Sequence, residues 1–178
     1  MRLRGSWAHR LTLLWHRVDA AAWSFAALAG TLVAGLAWAL GTVILDREAR
    51  RERQLQVQQQ SLECLARNVY FEARGEPLAG QYAVAEVTMN RTAAPVFRRS
   101  VCDVVYEKAA FSWTLERELP QPAGREWDRA RKVAEAVYFG RHAPLTNGAR
   151  FYHATYVNPA WARDKQRVAR IGRHIFYR

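Results

Sequence analysis

From Ala20 to Leu45 the chain carries no charged residue, and the 25 residues from Ala21, "AAWSFAALAGTLVAGLAWALGTVIL", are apolar nearly throughout. As a helix this run is about 37 Å long, enough to cross a hydrocarbon core of about 30 Å. Arg2, Arg4, Arg10 and Arg17 precede it against Asp19 alone. The eight residues after it, Asp46 to Arg53, hold four arginines and three acids. The positive-inside rule therefore keeps the N-terminus cytoplasmic and places everything after the run outside. A cleaved signal peptide ending near Ala37-Trp38-Ala39 is the alternative, but a signal core spans only about 7–15 residues. The expected reading is an uncleaved anchor over 21–45, behind a basic tail over 1–20.

The next stretch, "DREARRERQLQVQQQ", is charged and then glutamine-rich, with Leu55 and Val57 as its only sizeable apolar residues. It is too polar to pack alone, so 46–61 reads as a linker, either a helical stalk or a solvated tether. Of the 178 residues, 50% are hydrophobic, so 62–178 can bury a core of its own. That segment carries 19 Lys and Arg against 12 Asp and Glu, within a formal net charge of +11 for the whole chain. Such a surface favours anionic partners. The scattered arginines lack the basic and aromatic signatures of common nucleic-acid modules, so no nucleic-acid partner is expected.

Ser61 suits a helix N-cap, with Glu63 at the positive end of the dipole. Leu62, Leu65, Ala66, Val69, Tyr70 and Ala73 recur at helical spacing. Gly75 suits a left-handed helix terminator and Pro77 the start of the next helix. That second helix shows Leu78, Tyr82, Ala85 and Met89 on one stripe and runs to about Arg91. A third is expected from about Arg125 to Phe139, closed by Gly140, with Trp127, Ala130, Ala134, Val137 and Tyr138 inward. Asn147-Gly148 signals a turn before the strand-like "ARFYHATYV". Two further strand-like runs, "QRVARI" and "HIFYR", flank Gly172-Arg173. The expected fold class is α+β, helices first and a small antiparallel sheet last.

One residue breaks the helical pattern. Glu72 lies seven positions after Leu65 and three after Val69, which puts a carboxyl on the buried stripe at its helix end. Desolvation raises a carboxyl's pKa and lets it donate a proton near neutral pH; the structural alternative is a carboxylate paired with Arg74 or Arg91. Glu76 is a second candidate, or a group accepting backbone N–H bonds at the start of the second helix. Glycosidases commonly use two carboxyls, and Glu86, Glu107 and Glu116 are further possibilities for the second. "AFSWT" and "FYHATYVNPAW" mix flat rings with polar groups, a composition that suits sugars. Ser112, Trp113, Tyr152, His153, Asn158 and Trp161 are the candidate ligands there, while Phe111 and Phe151 read as core. The five histidines show no zinc spacing and H-E-x-x-H does not occur, so no metal or cofactor is expected. G-x-S-x-G, Walker and dinucleotide motifs do not occur either. Cys64 and Cys102 are the only thiols, and exported thiols usually serve as disulfides rather than nucleophiles.

The blocks "CLARNVYFEARGEPLAGQYAVAEVTMNR", "VFRRSVCDVVYEKAAFSW", "FYHATYVNPAWA" and "IGRHIFYR" occur in this order. Together they resemble the SleB/CwlJ-type cell-wall hydrolases over roughly Leu62 to Arg178, with E-A-R-G-E as the most specific part. The resemblance implies a lysozyme-like catalytic domain that cleaves peptidoglycan, with Glu72 as its catalytic glutamate; Glu76 is expected among the substrate-binding residues. Lytic transglycosylases cut between N-acetylmuramic acid and N-acetylglucosamine, and one glutamate can then serve as acid and base. An N-acetylmuramoyl-L-alanine amidase and a non-catalytic wall-binding domain are the alternatives. Related sequences often carry a cysteine on each side of F-S-W, where this chain has Ala109 and Leu115. The resemblance implies that Cys64 and Cys102 form the bridge that is left. With the anchor, it implies a single-pass protein of a bacterial inner membrane, its catalytic domain in the periplasm and peptidoglycan strands as partner.

Overall fold

The computed structural model describes residues 7–178, and side chains from Ala22 onward. Of the basic tail expected over 1–20, residues 1–6 and all the charged side chains lie outside that description. The chain divides into two compact units, one ending at Gln54 and one spanning Leu55–Arg178.

Helix α1 is assigned to Trp7–Ala73. In the first unit its apolar side chains are exposed, Trp23 at 76% and Leu32 at 67%. The segment has a mean hydropathy of 2.0 and is long and apolar enough to cross a membrane. The Thr31 and Thr42 hydroxyls are satisfied within the helix, donating to the Leu28 and Ala39 carbonyls at 2.9 and 2.8 Å. Beyond the apolar run, Asp46 and Arg50 pair at 2.7 Å one turn apart.

Residues 46–61 are helical throughout. Ser61 is therefore no N-cap: it sits mid-helix, and its hydroxyl donates to the Val57 carbonyl at 2.8 Å. The expected stripe is otherwise present, with Leu65, Ala66, Val69, Tyr70 and Ala73 all buried. Helix α2 spans Leu78–Thr92 with Pro77 at its N-cap. Its single expected stripe is corrected, because Leu78 is 51% exposed while Ala83, Val84 and Val87 are fully buried. The helix separates two cores. Ala85 faces the core built by α1 and the other helices, whereas Ala83 and Val87 pack with Ala149 and Phe176 of the sheet side.

Helix α3 is a five-residue turn, Val101–Val105, capped by the Ser100 hydroxyl accepting the Asp103 N–H at 3.1 Å. The Cys64–Cys102 disulfide ties it to α1. Helix α4, Gly124–Tyr138, buries Ala130, Val133, Ala134 and Val137 and ends at Gly140, whose φ of +65° closes the helix as expected. Gly75 does not play that part, since its φ is not positive. A Cβ there would lie 3.3 Å from Arg173 Nη2, a tight contact that a small shift of that side chain relieves.

Strands β1 (Phe151–Ala154), β2 (Arg167–Ile171) and β3 (His174–Tyr177) form an antiparallel sheet in the order β1-β3-β2. Asn147 and Gly148 both adopt positive φ (52° and 79°), the turn their sequence signalled. Gly172, φ +57°, opens the β2–β3 turn, and a Cβ there would collide with Glu76 Oε2. Tyr152 stands opposite Phe176 and Ala154 opposite His174, so these four side chains share one sheet face. The architecture is α+β, a helical body with a small C-terminal sheet.

Candidate active site

Glu72 is the penultimate residue of α1, half-buried where the helix stops and β1 crosses in front of it. The hydroxyl of Tyr152 donates to Glu72 Oε2 at 2.8 Å; Oε1 makes no hydrogen bond to a described residue. Burial raises the Glu72 carboxyl above its ordinary range, and the Tyr152 hydrogen bond and the positive charge of Arg91 offset this only in part. Burial, reinforced by the charge of Glu72, pushes the Tyr152 phenol well up, so it stays a proton donor to the carboxyl. Neither arginine considered from sequence pairs directly with Glu72. Arg74 lies over the Tyr70 ring, 5.0 Å from its centroid, and Arg91 donates through Nε to the Arg150 carbonyl at 2.7 Å.

Glu72 opens into a cleft of about 450 Å³ lined also by Phe71, Ser112, Glu116, Tyr152 and His174. Of the acids considered as a second carboxyl, Glu116 alone shares this cleft. Glu76 does not accept N–H bonds at the start of α2, one of the two roles considered for it. Its Oε2 accepts the Arg173 N–H at 2.8 Å and its Oε1 accepts from Arg173 Nε at 2.7 Å. These bonds bind the α1–α2 turn to the β2–β3 turn, not to the start of α2. Burial alone would raise the Glu76 carboxyl, but the Arg173 hydrogen bonds and charge hold it below its ordinary range. Glu86 is structural too, its oxygens accepting from the Leu145 and Thr146 N–H groups at 2.8 and 2.9 Å and meeting His142 Nε2 at 2.9 Å. Glu107 lines a neighbouring cavity instead.

The aromatic and amide candidates divide. Ser112 is exposed on the cleft wall. Trp113 is only 5% exposed: it stacks on Phe71 at 4.8 Å, and its indole N–H donates to Asn68 Oδ1 at 3.0 Å. It lines the Glu72 cleft as a largely buried ring. His153 falls on the sheet face opposite Tyr152. Its Nδ1 donates to the Ala154 carbonyl and its Nε2 accepts from the Tyr177 hydroxyl, both at 2.9 Å. Trp161 is half-buried against Phe151, His153 and Tyr177 and lines the neighbouring cavity. Asn158 is exposed and lines neither.

Three residues at the site carried no functional signal of their own in the sequence. Asn68, fully buried, donates to the Thr88 hydroxyl at 3.1 Å and accepts from Trp113, joining α1, α2 and the cleft floor. Arg91, 9% exposed, lies among Phe97, Phe111 and Phe151, which come from separate stretches of chain. His174 stands edge-on to the Tyr152 ring at 5.0 Å, and its buried Nδ1 has no partner. Burial lowers its pKa, so the imidazole is neutral at neutral pH. Its place in the closing block "IGRHIFYR" was the available clue. Among the described residues, no three His, Cys, Asp or Glu side chains are grouped to hold a metal.

Known proteins share this arrangement of elements. The catalytic domain of Bacillus cereus SleB superposes with a TM-score of 0.59 at 29% identity, covering 67% of this chain and 91% of that one. The catalytic domain of the germination-specific lytic transglycosylase SleB of Bacillus anthracis gives 0.55 at 28%, covering 67% and 95%. In sequence, the spore cortex-lytic enzyme of Bacillus subtilis (strain 168) is 35% identical over 123 residues, which is 63% of this chain and 35% of the relative. That of Halalkalibacterium halodurans is 31% identical over 118 residues, 65% of this chain and 34% of the relative. The chain thus spans about a third of the length of these curated relatives. Residues 75–177 match the profile of the Cell Wall Hydrolase family, beginning three residues after Glu72. With more than half of its length matched, the chain belongs to the cell wall hydrolase family.

Proposed function

We propose that residues 62–178 cleave the glycan strand of peptidoglycan between N-acetylmuramic acid and N-acetylglucosamine, as a lytic transglycosylase with Glu72 as its single acid and base. The observation that carries this reading is Glu72 itself: a carboxyl whose pKa burial raises above its ordinary range, fixed by Tyr152, with one oxygen free toward a cleft. The Glu72 acid donates its proton to the glycosidic oxygen as the C1–O bond breaks, releasing the N-acetylglucosamine side of the strand. The resulting carboxylate takes a proton from the muramoyl sugar's own hydroxyl, whose oxygen closes onto C1. An anhydro sugar forms, and Glu72 ends protonated as it began. Glu116 on the same cleft supports a second reading, in which a carboxylate directs water to C1 instead. The family and the named activities of its relatives support peptidoglycan as the substrate class.

The apolar helix of residues 21–45 holds this domain to a membrane, with 46–61 as the stalk and the domain on the non-cytoplasmic side. Length, hydropathy and the flanking arginines support that placement. The test is digestion of purified sacculi with the detergent-solubilised full chain, followed by mass analysis. Anhydro-muramoyl ends are expected. Reducing muramoyl ends support the Glu116 reading, free peptides indicate an amidase, and intact sacculi contradict the proposal.

A further inference from the structure

Arg91 is the one buried arginine among the described residues, and no carboxylate lies within ion-pairing distance of it. Its Nε bond to the Arg150 carbonyl leaves the two Nη groups without a hydrogen-bond partner. Those groups are not sealed off but open onto the cavities that Arg91 lines, where an entering anion can reach them. Arg91 lines the Glu72 cleft and also a second cavity of about 630 Å³, and Tyr152 and His153 line both. The second cavity is cationic and aromatic. Arg91, Lys108 and Lys165 face a single acid, Glu107, across walls that include Phe97 and Trp161. Lys165 Nζ sits 3.8 Å from the centroid of the Phe151 ring.

We infer that this second cavity is a subsite for a carboxylate-bearing peptide attached to the muramoyl sugar in the Glu72 cleft. The inference rests on the glycan-cleaving reading of that cleft. An uncharged glycan strand offers nothing for three cations to bind. The muramoyl lactyl group, however, carries a short peptide with free carboxylates, and a strand lying over Glu72 must put that branch beside the scissile bond. The shared residues make the second cavity the adjoining space. Its rings would pack on the alanyl methyl while Arg91, Lys108 and Lys165 meet the carboxylates.

The test is calorimetric titration of full-length Glu72→Gln protein in detergent. The probes are N-acetylmuramoyl-L-alanyl-D-glutamate and the same compound with both carboxyls amidated. The free acid should bind at least tenfold more tightly. In the Lys108→Gln/Lys165→Gln background the preference should fall below threefold, while Lys132→Gln, at a separate depression on α4, should retain it. Equal binding of the two probes overturns the inference, as does a preference that survives the double substitution or binding of neither probe. Because the titrated protein is catalytically silenced, this result is independent of the sacculus digestion that judges the glycan-cleaving reading.

Discussion

Glu72 is pulled in opposite directions, and its burial wins over the Tyr152 hydrogen bond and the Arg91 charge. The folded chain therefore keeps this proton at pH values where the unfolded chain, with an ordinary carboxyl, has released it. Between the ordinary and the raised pKa the native state binds more protons, so stability falls as pH rises through that window and stays lower above it. Glu72→Gln removes this loss: its melting temperature should exceed the parent's at neutral pH and converge with it below the ordinary carboxylate range. Tyr152→Phe acts on the same balance. It deletes a hydrogen bond that favours the ionised form, so the Glu72 pKa should rise and the alkaline limb of the kcat/KM profile should move to higher pH. A limb that stays put or moves down would show that Tyr152 does not set the working state of Glu72. Glu72 was legible in the sequence because one charged residue at i+3 and i+7 on an apolar stripe is conspicuous. Arg91 was not, because its burial is created by Phe97, Phe111 and Phe151, whose convergence no local pattern records.

Elements follow the same division between local and long-range causes. The α1 stripe, α4 with its Gly140 terminator and the turn at Asn147-Gly148 are written in neighbouring residues, and the structure contains them. Helix α2 misled because it serves two cores, so no single stripe describes it. Helix α3, at five residues, is too short to show a period at all. The Cys64–Cys102 bridge, between residues 38 apart in sequence, ties α3 to α1. For a closed loop of that size the chain-entropy model gives about 4 kcal/mol of stabilisation. Reduction, or the Cys64→Ser/Cys102→Ser pair, should therefore lower the denaturant-derived stability of the domain by about 2–4 kcal/mol. A loss under about 0.5 kcal/mol would mean that packing of Val101, Val104 and Val105 suffices to hold α3 against α1.

At the scale of the molecule, one short chain combines a membrane-length apolar helix with a wall-degrading domain's fold, and the proposal is that the first keeps the second near its polymer. Alkaline phosphatase fused after Arg178 should be active in cells; activity of a cytoplasm-only reporter at that position would reverse the orientation. The central claim is that one acid, Glu72, drives glycan cleavage. The most direct measurement is the rate of soluble muropeptide release from purified sacculi by the full chain and by its Glu72→Gln variant, with folding of both checked by their melting curves. The variant keeps the shape of the side chain and loses its proton, so the rate should fall by about 10²-fold or more, while sedimentation with sacculi is retained. A folded Glu72→Gln protein that releases muropeptides at near the parent rate would contradict the account.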